Sequence, residues 1–277
     1  MSRRRRQGRG LLVGAVIMAL IGFGVHRGLI ALTSLPKAAL PQTVLVVGTA
    51  PAQGPSGIVT VATVLLLVHH SRGQSEVLII PANTRVSLGA YGPQEIGRAY
   101  TFGGPSLLAR EAAALVGITP PPTAVLPAVV LAEEVSQLGG VAVGGRTLSG
   151  SQVVASWQAA AGSGAPAAQA ATDALLPKLA APGQWLKAPL FAETLWANST
   201  GSLPWSTLIA AARVWGEATS PLTAVLPGAV LRFQAGDQWL VLGVDAAQAW
   251  RELLAGQAPP VQDSRAEAAA AALEQGK

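Results

Sequence analysis

The sequence predicts an α/β (α+β) fold with a sheet covered on both faces. Three observations point there. Short β-rich runs alternate with helical periods from Thr43 onward. The strand runs are almost continuously apolar, which suits a sheet buried on both sides rather than one with a wet face. The helices between them carry legible start and stop signals.

In chain order, residues 43 to 49 (TVLVVGT) read as a buried strand. Residues 59 to 69 and 75 to 80 read as two more strands around the polar turn Ser71 to Gln74. Pro105 opens a helix that places Leu108, Ala112 and Leu115 on one face and stops at Gly117, and Pro127 opens another that ends at Gly139. Ser149 with Gln152 and Asp245 with Gln248 are capping-box pairs ahead of the apolar faces Val153/Trp157 and Trp250/Leu253/Leu254. Residues 159 to 172, rich in Ala, Gly and Ser, leave helix and loop both open. Residues 229 to 243 read as a hairpin around the three-residue turn Ala235 to Asp237.

Half of the 277 residues are apolar and 12% are charged, enough for one sizeable core with appendages. The formal charge of +5 comes entirely from Arg3, Arg4, Arg5, Arg6 and Arg9; beyond residue 10, fourteen Lys and Arg (19 less these five) face fourteen Asp and Glu. A neutral body gains little from counterion release, so nucleic acid is not an expected partner. There is no cysteine, hence no disulfide, thiol nucleophile or thiolate metal site.

Residues 11 to 25 form an unbroken apolar run of about 22 Å as a helix; continued to Leu32 it reaches about 33 Å, enough to span a bilayer with Arg27 snorkelling at the outer end. Five arginines before the run place the N-terminus in the cytoplasm and the body outside. A cleaved signal peptide shares this layout, but Lys37 spoils the small-residue pattern before Ala39, which favours a retained anchor. The expected organisation is a cytoplasmic basic tail (1–10), a transmembrane signal anchor (11–32), a linker (33–42), an extracytoplasmic domain (43–256) and a flexible tail (257–277).

Several segments in order resemble the LytR-CpsA-Psr (LCP) family: VLVVGT at 44–49, TVLLLVH at 63–69, LIIPANT at 78–84 and IGRAYTFGGP at 96–105. LVGI at 115–118, QLGGVAV at 137–143, TLSGSQVV at 147–154 and LPG at 226–228 continue the series, so the resemblance spans residues 43 to 256. It implies a mixed sheet with helices on both faces and an N-terminal membrane anchor. It also implies transfer of a glycopolymer from a polyprenyl pyrophosphate carrier to the cell wall, with a divalent metal on the pyrophosphate and the lipid tail in an apolar tunnel.

A pyrophosphate site needs arginines as clamps and carboxylates to hold an ion such as magnesium. Where the family pattern implies Asp and Arg after the first strand, this chain has Ala50 and Ala52. The charged pair before the second strand falls on Thr60 and Ala62, and the Arg-Asp of the Ile-Pro-Arg-Asp-Thr turn falls on Ala82 and Asn83. Lys and Asn before the aromatic stretch become Glu95 and Gly97, and Tyr and Arg after Leu-x-Gly become Ser156 and Gln158. The first aspartate of the chain is Asp173, so no shift of alignment restores Asp ligands to the N-terminal half. Each lost contact pair forfeits about 4 kcal/mol at an effective dielectric of about 20.

What remains is a set of ligand-binding candidates, Thr63, Asn83, Thr84, Arg85 and Tyr100, and no confident catalytic residue or metal ligand. The expectation is a catalytically degenerate LCP-like envelope protein that binds the polyprenyl carrier or scaffolds assembly, with membrane, polyprenyl (pyro)phosphate, cell-wall glycopolymer or envelope-assembly proteins as partners. The alternative is a divergent transferase using Arg85, Arg98 and Glu95, with Mg2+ required in that case only. A third possibility is a structural envelope protein with no ligand. Adjacent strand residues His69 and His70 point to opposite faces and do not suggest a shared metal. No Gly-x-Ser-x-Gly elbow is present. Of seven tryptophans, Trp157, Trp215 and Trp250 have core spacing, which weighs against a sugar-stacking platform.

Overall fold

The protein is described from a computed structural model. It covers residues 42–55, 57–71, 74–180, 200–202, 222–232, 238–242, 246–257, 259, 267–268 and 271–272. The basic tail, the apolar segment 11–32, the linker up to residue 41, Asp245, Trp215 and most of the tail 257–277 lie outside the described residues. Among the described residues no helix is long and apolar enough to cross a membrane.

Strands β1 (Thr43–Gly54), β2 (Gly57–Ser71) and β3 (Gln74–Ile79) form an antiparallel meander at the centre of the domain. Strand β6 (Thr123–Pro127) lies parallel to β1, β9 (Thr200–Gly201) antiparallel to β6, and β10 (Leu222–Val225) parallel to β3. The resulting six-stranded mixed sheet has the order β10-β3-β2-β1-β6-β9. Three two-stranded ribbons accompany it: β4 (Arg85–Ser87) with β5 (Pro93–Glu95), β7 (Val141–Val143) with β8 (Arg146–Leu148), and β11 (Ala229–Arg232) with β12 (Gln238–Val241).

Strand alternation explains why both faces need cover. On one face Leu45, Val47, Leu65, Leu67 and Leu78 pack against helix α1 (Ala99–Val116) through Leu108, Ala112 and Val116, and against α5 (Ala246–Leu254) through Trp250 and Leu253. On the other, Val64, Leu66, Val68, Val77 and Ile79 meet α2 (Ala128–Gln137), α3 (Gly150–Gln158) and α4 (Ala165–Ala180). The near-continuous apolar runs therefore serve two cores at once. Leu45, Leu65, Leu67, Leu78, Leu108 and Leu253 are all at 0% exposure and form the centre of this core.

The helix signals act as the sequence implies. α1 is two helical pieces across a kink at Gly103 and Gly104, with Pro105 opening the second and Gly117 closing it in the left-handed conformation. α3 starts at a full capping box: Ser149 Oγ accepts from Gln152 N–H while Gln152 Oε1 accepts from Ser149 N–H. The ambiguous stretch after it resolves into a 3-10 turn, Gly162–Gly164, and helix α4, whose alanines favour helix and whose Ala168, Ala171 and Leu175 face the core.

Two features differ from the sequence reading. The first hairpin is longer than expected: β1 continues through Ala50 to Gly54, paired with Gly57 to Val61 as a two-stranded arm beyond the rest of the sheet. In the β11/β12 hairpin, Arg232 pairs with Gln238, where a turn at Ala235 to Asp237 would pair Gln234 with it; residues 233–237 lie outside the described residues. A two-residue slip keeps every side chain on its original face, which is why hydrophobic alternation cannot detect it.

Candidate functional site

The site lies where β1 and β3 end, β2 starts and α1 begins. Positions far apart in sequence meet there. The register of β1 and β2 sets Ala50 opposite Val61, Ala52 opposite Val59 and Thr49 opposite Ala62, skipping Thr63. That skip is a β-bulge, a device that turns side chains near functional sites. Beyond it, Thr60 and Ala62 share the face of Leu65 and Leu67, the face that α1 covers.

The turn after β3 brings in the next group. Thr84 is fully buried, and its hydroxyl and amide both donate to the carbonyl of Pro81, at 2.6 and 2.9 Å. Ile96 N–H donates to Thr84 O at 2.8 Å, and Gly97 N–H to Ala82 O at 2.9 Å. Gly97 is held so close to the carbonyl of Ala62 and to Ala82 that a side chain would collide with them. Thr101 Oγ1 donates to Thr60 O at 2.6 Å, tying the first turn of α1 to the arm. Ala62, Ala82 and Gly97 thus meet directly, with Thr60 alongside.

From the opposite face, Gln158 at the end of α3 donates through Nε2 to Thr63 Oγ1 at 3.1 Å, and Thr63 Oγ1 donates to Gly48 O at 3.4 Å. Position 158, where the family pattern implies Arg, therefore reaches the strand carrying the other substituted positions. Ser156, two residues earlier, turns its hydroxyl back onto Val153 O at 2.7 Å.

The charged candidates are engaged with protein groups. Arg98 Nε lies 3.4 Å from Glu95 Oε2, both side chains partly exposed. The Arg85 guanidinium carbon stands 5.6 Å from the centroid of the Trp239 ring, a cation–π arrangement, and its buried Nε has no hydrogen-bond partner. Asn83 O accepts from Leu240 N–H at 2.9 Å, which docks the β11/β12 ribbon on this turn. Tyr100 is half-buried against the α1 core. Sequence reasoning missed Thr101 and Trp239 as neighbours of the site; no local pattern marks either, because their partners lie about forty residues or more away.

A magnesium ion needs hard oxygen ligands, chiefly carboxylates. Around Thr60, Ala62 and Ala82 the side chains are methyl groups and a hydroxyl, Ala50 lies opposite Val61 on the other face, and Glu95 is paired with Arg98. Among the described residues no three His, Cys, Asp or Glu side chains lie together as a metal set. The residues present do not fit that ion. His69 and His70 are accounted for separately: His69 Nδ1 is 2.8 Å from Thr43 Oγ1 and its ring meets Trp250 edge-on, while His70 Nδ1 is 3.0 Å from Ser75 Oγ. Burial, with a smaller contribution from His70, lowers the His69 pKa.

No protein-family model and no curated protein matches the chain in sequence. Solved structures do match in fold. B. subtilis TagV superposes with a TM-score of 0.61 at 16% identity, covering 79% of this chain and 99% of TagV. TagT bound to LIIa-WTA gives 0.58 at 16% identity, over 80% of this chain and 92% of TagT. Protein gbs0355 from Streptococcus agalactiae gives 0.61 at 12% identity, over 78% and 88%. TagV and TagT are LCP proteins. From β1 to α5, the chain has the LCP fold.

Proposed function

We propose that this chain is a membrane-anchored, LCP-like cell-envelope protein that has lost the transferase chemistry and acts in lipid-carrier binding or envelope scaffolding. One observation carries the proposal: Ala62, Ala82 and Gly97, with Thr60 beside them, meet at a single place and bear no charge. A polyanion offered to that place finds methyl groups and backbone where clamps and metal ligands would be needed.

The glycopolymer partner is suggested by TagT, which is seen bound to LIIa-WTA and LI-WTA. The alternative of a divergent transferase built on Arg85, Arg98 and Glu95 draws less support, because Arg98 is paired with Glu95 and Arg85 is stacked on Trp239.

The test is incubation of the purified full-length chain with a polyprenyl-pyrophosphate-linked glycan and magnesium. No release of polyprenyl phosphate is expected. Magnesium-dependent release would overturn the proposal, and its loss in Arg85→Ala/Arg98→Ala would establish the alternative. Native mass spectrometry with polyprenyl phosphates separates the two branches, bound lipid marking carrier binding and an unliganded protein marking scaffolding.

A further inference from the structure

Among the described residues, four large apolar side chains stand exposed: Ile58 at 78%, Val129 at 63%, Tyr91 at 51% and Leu254 at 39%. Three of the four come from different elements, each of which borders the candidate site. Ile58 lies near the tip of the β1/β2 arm. Val129 is the second residue of α2, just past Pro127, which pairs with Thr49 at the root of that arm. Tyr91 stacks on Phe102 with ring centroids 4.2 Å apart, and the neighbouring Thr101 is bonded to Thr60 of the arm.

Isolated exposed apolar residues need no explanation, but a group at one end of a domain marks a contact surface. The chemistry of this end narrows the partner. No Asp, Glu, Lys or Arg occurs between Lys37 and Arg72, so the whole arm is uncharged. Glu95 and Arg98, beside it, neutralise each other. Tyrosine, with an apolar ring and a polar tip, suits the boundary between hydrocarbon and water. An arm of this kind meets lipid without leaving a buried charge unpaired.

We infer that this end of the domain, with Ile58, Tyr91 and Val129 as its apolar rim, rests on the lipid bilayer. The inference depends on the proposed anchor at residues 11–32. A tether makes even a weak contact effective, because the bilayer is then always within reach. The stretch from Leu32 to Thr43 spans at most about 36 to 40 Å, and β1 covers about 36 Å from Thr43 to Gly54. The linker is therefore long enough for the arm tip to touch the membrane that holds the anchor.

The chain has no cysteine, so single labels can be placed at will. Full-length Ile58→Cys, Tyr91→Cys and, as a control on the exposed β8, Thr147→Cys are each labelled with an environment-sensitive fluorophore and reconstituted into phosphatidylcholine vesicles. The labels at 58 and 91 are expected to shift to the blue and to be quenched by lipids carrying a nitroxide at a shallow acyl position, with position 147 remaining water-like. Water-like emission at 58 and 91 in a chain that floats with the vesicles overturns the contact and leaves the anchor standing. A blue shift without quenching by the nitroxide lipids, or quenching at all three positions, also overturns it. A chain that does not float with the vesicles overturns anchor and contact together.

Discussion

Gly97 presses against the carbonyl of Ala62, and the space a side chain would occupy is taken by that oxygen. Helix α1 approaches the sheet this closely because position 97 has no β-carbon. Gly97→Ala is therefore expected to cost about 1–3 kcal/mol as an overpacked contact, measured as a fall in the urea midpoint. A stability equal to that of the parent would show that α1 does not depend on this approach. The Asn that the family pattern implies at this position should cost more, so restoring the site requires α1 to move as well.

Trp157 Nε1 donates to Thr172 Oγ1 at 2.8 Å, a bond between α3 and α4 in which both residues are buried. Thr172→Val preserves shape but leaves the indole N–H without an acceptor, at a cost of about 1–3 kcal/mol. Thr172→Ser should recover most of the loss in equilibrium denaturation. Equal losses in the two variants would place the cost in packing and not in the hydrogen bond.

Ser149 anchors the capping box of α3. Ser149→Ala should lower stability by about 1 kcal/mol, with Ser149→Asp close to the parent because a carboxylate accepts the same N–H groups. Thermal denaturation of the two variants side by side checks this.

Glu134 on α2 is buried with neither carboxylate oxygen hydrogen-bonded, and burial, helped by neighbouring Glu133, pushes its pKa up to about 7. The folded chain thus keeps a proton that the unfolded chain releases near its ordinary value of 4.5. Stability contributed by this group is full below pH 4.5, falls as pH rises toward 7 and is level beyond. Glu134→Gln should remove that limb, so the difference in urea midpoint between variant and parent widens from pH 4.5 to 7 in the variant's favour. His69, whose pKa is lowered by burial, works in the opposite sense and loses stability as pH falls, in both proteins alike. A difference that does not change with pH would mean that Glu134 is solvated.

Much of the fold was legible because its signals are local. Pro105, Gly117, Pro127 and Gly139 punctuate α1 and α2 where backbone chemistry requires it, and Ser149 with Gln152 reads directly as a cap. The apolar strands announced a sheet covered on both faces, as the two cores confirm. The arm beyond Ala50 was not legible, since Ala-Pro-Ala-Gln-Gly carries no strand propensity and is extended only because β2 pairs with it. The bulge at Thr63 escaped for a related reason, as one extra residue leaves no mark in a run apolar on both faces.

The sequence alone determined which residue types were available at the candidate site: an uncharged N-terminal arm, no aspartate before Asp173 and two arginines, Arg85 and Arg98, nearby. Tertiary structure alone decided that Ala62, Ala82 and Gly97 touch, that Arg98 turns to Glu95 and Arg85 to Trp239, and that Ile58, Tyr91 and Val129 stand exposed. The physical reason is that composition and periodicity report how each residue relates to its near neighbours along the chain. Which side chains meet is set by strand register and helix docking, and those are chosen by the packing of two cores drawn from the whole domain.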